Sequence, residues 1–250
     1  MSGAAGPTTR VLIGVGVGPG DPELVTARAV RVLKEAGRVF APTTAVDAVG
    51  RAESIVRQAC PGLRIDRLVF DMGATGDTRI QGYRRAAEQV ASALDEVENV
   101  AVVVLGDPNV YSTFTGLASE ARSLRPGLTV DTVPGIMAFQ ELAARSGTVL
   151  LDGTEQLTLV TALAGPEPLD GVLNDHDRAV VVYKGGRHLP TIADRLSSAG
   201  RLDVAVVGEL LGLPGERVLA AADAAALGPA AYLATVIVPP TARSRNGRDG

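Results

Sequence analysis

The sequence predicts an α/β protein built as two lobes, and three observations carry that prediction. Short β-branched runs alternate with amphipathic segments along most of the 250 residues, the pattern of a largely parallel sheet wound with helices. The run Val100 to Leu105 (VAVVVL) is apolar without alternation, as expected of a strand buried on both faces. Near the middle, Pro134 and Gly135 break the chain, which puts the lobes at 1–134 and 135–250 with no long linker between them. The ends, 1–9 and 241–250, are polar or small-residue segments expected to be flexible and disordered respectively.

The first lobe opens with a strand of Val11, Leu12 and Ile13 that runs into Gly14, Gly16, Gly18, Pro19 and Gly20. Four glycines at a strand-to-helix turn are expected to let main chain come within contact distance of a ligand, because no Cβ stands in the way. Asp21 as N-cap, Pro22 at the first helical position and Glu23 at the positive end of the dipole then open a helix. It places Val25, Ala29, Val32, Leu33 and Ala36 on one face and is expected to stop at Gly37. Arg38 to Ala41 (RVFA) is the next strand, and Glu53 to Ala59 belongs to a helix ended near Pro61 and Gly62. Arg64 to Phe70 reads as strand. Tyr83 to Val97 reads as helix, with Ala86, Val90, Ala93, Leu94 and Val97 aligned. The VAVVVL strand, a helix over Thr113 to Leu124 and a strand over Leu128 to Val133 complete the lobe.

The second series runs helix Ile136 to Arg145, strands Leu157 to Leu163 and Ala179 to Tyr183, helix Leu189 to Ala199, then strands Val204 to Val207 and Tyr232 to Val238. Helix signal is thin between several of these strands, which admits antiparallel pairs in this lobe.

Composition closes off several function classes. Hydrophobic residues make up 46% and mean hydropathy is +0.20, yet no apolar run reaches the roughly 18 residues a membrane helix requires. The start, MSGAAGPTTR, holds no hydrophobic signal segment, and Cys60 is the single cysteine; the expectation is a cytoplasmic protein without an internal disulfide. A net charge of −4 argues against broad nucleic-acid binding. His176 and His188 are the two histidines. With no H-E-x-x-H and no carboxylate cluster, no metal site is expected, and His176 reads as a solvated loop residue. No G-x-S-x-G is present, so a hydrolytic nucleophile is not indicated.

The glycine turn does not fit a dinucleotide. Counting from Gly14, the third glycine position of G-x-G-x-x-G is Pro19; counting from Gly16 it is Asp21. The following strand ends at Pro42 without a ribose-binding acid, and an acid at the helix start repels a pyrophosphate. A nicotinamide-dependent oxidoreductase is therefore the rival reading from a different class. The ligand expected is one without a polyphosphate. Three more strand ends carry candidate residues: Leu105 to Ser112 (LGDPNVYS), where Gly106 permits close approach and Asp107 either meets the ligand or caps the turn; Val133 to Ala138 (VPGIMA); and Val182 to Arg187 (VYKGGR). Arg79, Arg84, Arg85 and Arg187 are candidates for an anionic ligand or for plain surface.

Taken together, GVGVGPGDPELVT, LGDPNVYSTF, VPGIMA and VVYKGGRHL, in this order and spacing, resemble the tetrapyrrole methylase family over about Val11 to Val238. The resemblance implies two α/β lobes with S-adenosylmethionine folded in the cleft between them, S-adenosylhomocysteine as product, and a homodimer. Carried over by position, Pro19, Leu105, Gly106, Asp107, Met137, Ala138, Tyr183, Lys184 and Leu210 line the cofactor. Lys184 departs from the methionine that related uroporphyrinogen methylases tend to have there. The form of the first two segments is most similar to members that methylate carbon 20 of precorrin-2, giving precorrin-3A for cobalamin; cobalt-factor II or another ring position is the alternative. Asp107 and Tyr111 are the candidates for the chemical step, by charge stabilisation, proton removal or ring orientation. Arg84 and Arg187 are the candidates for the substrate's acetate and propionate groups.

Overall fold

The computed structural model describes residues 10–71 and 75–241. Of the segments expected to be flexible or disordered, 1–9 and 241–250, residues 1–9 and 242–250 lie outside the described residues, while Thr241 donates its amide to the His176 carbonyl. The chain divides into two compact units, up to Met137 and from Ala138 onward.

The first unit runs β1 (Val11–Gly16), a 3-10 turn (Pro22–Leu24), α1 (Ala27–Glu35), β2 (Arg38–Thr43), α2 (Arg51–Ala59), β3 (Asp66–Val69), α3 (Gly76–Glu96), β4 (Asn99–Val104), α4 (Thr113–Leu124) and β5 (Thr129–Val133). All pairings in its sheet are parallel, in the order β3-β2-β4-β1-β5. Alternation along the central strand fills both faces. Val100, Val102 and Val104 pack with Leu12, Phe40 and Leu68 against α3 and α4, while Ala101 and Val103 pack with Val15 and Val39 against α1 and α2. This two-sided burial is why β4 reads as an unbroken apolar run. Cys60 is buried in the second of these cores.

Two details of the first helix differ from expectation. Asp21 caps only the 3-10 turn, accepting the amide of Glu23 at 2.8 Å, and the α-helix starts afresh with Thr26 accepting the amide of Ala29 at 3.1 Å. Gly37 is not a left-handed cap either: the chain is already extended at Ala36. A Cβ on Gly37 would stand 2.6 Å from that of Val97, so close packing requires the glycine.

The second unit runs α5 (Ala138–Ser146), β6 (Gln156–Thr161), β7 (Arg178–Tyr183), α6 (Leu189–Ser198), β8 (Val206–Glu209), β9 (Arg217–Ala220), α7 (Ala221–Ala226) and β10 (Thr235–Val238). Its sheet has the order β6-β7-β10-β8-β9; β6 and β7 are parallel, and every other pair is antiparallel. The larger core lies against α6 and α7, the smaller against α5. The antiparallel pairs allowed for in the sequence are present; β9 and α7 are additions. Among the described residues no helix is long and apolar enough to cross a membrane.

Arg201 is fully buried in this unit and donates to the carbonyls of Leu173, Asp175, Arg178, Val238 and Pro239. Burial lowers its pKa, which the charge of Asp175 partly offsets. Contrary to expectation, His176 is half-buried and bonded: Nδ1 meets the hydroxyl of Thr241, and its carbonyl accepts the Thr241 amide at 2.9 Å.

Candidate functional site

In an open parallel sheet a ligand sits at the carboxyl ends of two neighbouring strands whose following helices go to opposite faces. β1 and β4 are one such pair, with α1 on one face and α4 on the other, and they are the pair whose following turns carry the glycines. The turn after β1 and the loop after β4 are the first two glycine segments of the sequence.

These loops are packed on each other. Gly18 and Gly106 form an antiparallel bridge, with the Gly106 amide donating to the Gly18 carbonyl at 2.9 Å. A Cβ on Gly16 would stand 2.4 Å from the Gly106 carbonyl oxygen, and one on Gly135 would stand 2.1 Å from it. A Cβ on Gly14 would run into the ring of Phe114 at 2.6 Å. The glycine turn was expected to make room for a ligand; at Gly14 and Gly16 the room is taken by protein atoms, and the close approach is between neighbouring strand ends. Gly106 itself adopts φ 63°, and a Cβ there would meet the sulfur of Met137 at 3.5 Å, an ordinary contact.

Asp107 uses both carboxylate oxygens on main chain. Oδ1 accepts the amide of Asn109 at 2.8 Å and Oδ2 that of Gly135 at 3.1 Å. The Asn109 side chain donates to the Thr132 hydroxyl at 3.2 Å, so the loop after β4 is fastened to the end of β5 twice. Tyr111 follows with φ 50° and 47% of its surface exposed, and Ser112 caps α4 through the Phe114 amide. Pro19, Leu105, Gly106, Asp107, Tyr111 and Met137 thus belong to one cluster of strand-end turns in the first unit.

The second unit has its own cluster. Across the sheet, Tyr183 of β7 lies opposite Thr235 of β10, which lies opposite Gly208 of β8. Lys184 directly follows β7 with φ 58°, and Leu210 directly follows β8 with φ 51°. The Tyr183 hydroxyl accepts the amide of Phe139 at 3.2 Å, which brings Ala138 at the start of α5 to the same sheet end. Sequence reasoning missed Glu209, whose buried carboxylate accepts the Ala231 amide and pairs with Arg217 at 2.6 Å. Among the described residues, Tyr111, Lys184 and Leu210 are the non-glycine residues with positive φ. Such a conformation costs about 1–2 kcal/mol for a side-chain-bearing residue and gathers where function demands it.

The two arginine candidates are at the surface. Arg84 is exposed on α3 and pairs with Glu88 at 3.6 Å. Arg187 is exposed in the 3-10 turn Gly186–His188. Burial pushes the Tyr232 phenol up, and the Arg187 charge acts against that shift. An open groove lined by Arg38, Phe40, Asp66, Arg67 and Arg85 lies at the starts of β2 and β3, away from the strand ends, and its Arg38 is already paired with Asp66.

The donor set fits a cationic ligand without phosphate. No Lys or Arg occurs in 11–27, 99–121 or 126–144, the stretches that carry the turns after β1, β4 and β5, while Asp21, Glu23 and Asp107 do. A sulfonium is attracted where a pyrophosphate is repelled.

Comparison with known proteins gives the family. The family model of the tetrapyrrole (corrin/porphyrin) methylases matches residues 11–226. The chain is 32% identical over 237 residues to a precorrin-2 C(20)-methyltransferase of a Sinorhizobium species, taking in 91% of this chain and 94% of that one. It is 35% identical over 223 residues to the cobalamin biosynthesis protein CobIJ of Mycobacterium tuberculosis; 85% of this chain aligns, but it spans only 42% of CobIJ. Among solved structures, the cobalamin-synthesis-related protein CobF of Corynebacterium diphtheriae matches with a TM-score of 0.70 over 93% of this chain and 99% of that one, at 22% identity. That last likeness is one of fold.

Proposed function

The chain belongs to the tetrapyrrole (corrin/porphyrin) methylases, and on that premise we propose that it transfers the methyl group of S-adenosylmethionine to carbon 20 of precorrin-2, giving precorrin-3A in corrin synthesis. The observation that carries the cofactor is the charge pattern of the strand-end turns after β1, β4 and β5: the first two hold acids and none of the three holds a cation. The 32% identity to a precorrin-2 C(20)-methyltransferase along nearly its whole length supports the ring position.

Pro19, Leu105, Gly106, Asp107 and Met137 are the proposed cofactor contacts of the first unit, and Ala138, Tyr183, Lys184 and Leu210 those of the second. When bound, S-adenosylmethionine supplies a methyl group on positively charged sulfur, an electrophile that needs no activation. The chain's part is to hold donor and acceptor carbon in line and to keep water out. Main-chain groups at Leu105 and Gly106 are proposed to take part in this, and the packing of Gly106 against Gly16 and Gly135 supports a fixed position for them. Tyr111, at the exposed end of its loop, is proposed to orient the macrocycle. Arg187 is proposed to pair with a substrate carboxylate. Arg84, paired at the surface with Glu88, is proposed to do the same with its remaining donors. The active form is proposed to be a cytoplasmic homodimer, which sedimentation equilibrium tests for stoichiometry.

Incubation with precorrin-2 and donor labelled with carbon-13 in the methyl group, followed by NMR, tests the proposal. A new methyl at carbon 20 is expected. Methylation at another carbon overturns the position, and turnover of cobalt-factor II alone overturns the metal-free substrate. Tight NADH binding without affinity for S-adenosylhomocysteine overturns the reaction class.

A further inference from the structure

We propose that Asp107 is a positioning residue of the methyl-donor site and moves no proton, an inference that rests on the function proposed above. Its two oxygens face two main-chain amides, those of Asn109 and Gly135. The first bond shapes the loop after β4. The second joins that loop to the turn after β5, where a Cβ on Gly135 would overlap the Gly106 carbonyl.

The consequence is mechanical. The Gly106 carbonyl is wedged between Gly16 and Gly135, close enough that a Cβ on either would overlap it. The Gly106 amide is bonded to the Gly18 carbonyl, and its backbone is left-handed at φ 63°. Three strand ends therefore converge on one residue, and the carboxylate beside it fixes the distance between two of them. A charge-assisted bond at each oxygen orients the carboxylate toward the fold. A proton acceptor must instead turn an oxygen to the substrate carbon. Held by these two bonds, Asp107 sets where the main-chain atoms of this loop stand.

Asp107→Asn keeps the size and one acceptor oxygen but turns an NH2 toward one of the two amides. Loss of one such bond is expected to raise the Kd of S-adenosylhomocysteine and the KM of S-adenosylmethionine roughly tenfold. The expected fall in kcat is only about two- to threefold, and its pH profile keeps the wild-type shape. A base removed from the same position would lower kcat by roughly 100-fold or more and delete one limb of the profile; that result overturns the proposal, as does unchanged donor affinity. Amide hydrogen exchange on the wild-type protein gives a reading that needs no variant. The Asn109 and Gly135 amides are expected to be protected in the absence of ligand, and exchange at both at unfolded-chain rates overturns the brace. Should the wild-type protein not bind S-adenosylhomocysteine at all, the proposed function fails; binding that ignores Asp107→Asn sinks the positioning role alone.

Discussion

Phe114 occupies the space that a side chain on Gly14 would need. The ring lies 2.6 Å from the position of that absent Cβ, is 3% exposed, and packs with Leu12, Val102 and Val104 in the core under α4. The contact fixes the start of α4 on β1, and with it the register of the loop 105–112 that precedes the helix. Gly14→Ala is therefore expected to destabilise the protein by about 1–3 kcal/mol, the usual range for overpacking a filled core. Urea unfolding measures this. Paired with Phe114→Leu the loss should be less than the sum of the two single changes; strict additivity would mean the ring and the glycine are not coupled.

Tyr111 combines a left-handed backbone with high exposure. Tyr111→Gly removes the Cβ clash of that conformation, worth about 1–2 kcal/mol, against roughly 0.5–1 kcal/mol of extra chain entropy. A net gain of about 0.5–1 kcal/mol in stability is expected, together with a loss of methyl transfer if the ring orients the macrocycle. Thermal unfolding and turnover on the same preparation separate the two. A variant that is both less stable and fully active contradicts the reading.

The elements that the sequence revealed are those whose burial is one-sided or continuous. The helix over Thr113–Leu124 and the VAVVVL strand appear within a residue of where they were read, because local periodicity and β-branching decide them. Gly14 and Gly16 announced a close approach, but a missing Cβ does not say what approaches, and the partners Phe114 and Gly106 come from more than 85 residues away. Lys184 and Leu210 gave no local sign of positive φ, since neither residue type favours it. Arg201 follows Gly200 like an ordinary solvated helix end; its five acceptors come from separate segments and meet only in the fold. β9 is a four-residue edge strand and α7 is nearly all alanine, so neither carries a period to read.

Glu53 should make the protein sensitive to acid. Its side chain is fully buried and pairs with Arg57 and Arg67, each at 2.7 Å. The hydrogen bonds from Arg67 hold the carboxyl below its ordinary value; burial opposes this, and Arg57 adds to it. A carboxyl with a depressed folded pKa contributes stability above its unfolded value, about 4.3, and loses that contribution as pH falls through the folded one. Glu53→Gln is expected to lower the Tm at neutral pH and to flatten its decline below about pH 4.3. Unfolding temperatures measured across the acid range check this, and parallel declines for the two proteins would assign the acid sensitivity to other groups.

Tyr183 lets one hydroxyl connect β7 to the start of α5. The first amides of a helix have no acceptor within it, and the Tyr183 hydroxyl supplies one to Phe139 at 3.2 Å. Tyr183→Phe keeps the ring against Val181 and Leu142 in the core beneath α5, so packing is preserved while that acceptor is lost. The expected cost is about 1 kcal/mol, the value of an N-terminal helix bond. Because Ala138 opens the same helix and Lys184 follows the same strand, the affinity for S-adenosylhomocysteine should fall with it. Tyr183→Leu, which also loses the ring, should lower stability further. Calorimetric titration alongside urea unfolding distinguishes the possibilities: a Tyr183→Phe variant that loses stability but binds the ligand as tightly as the wild type confines the hydroxyl to the fold and removes it from the site.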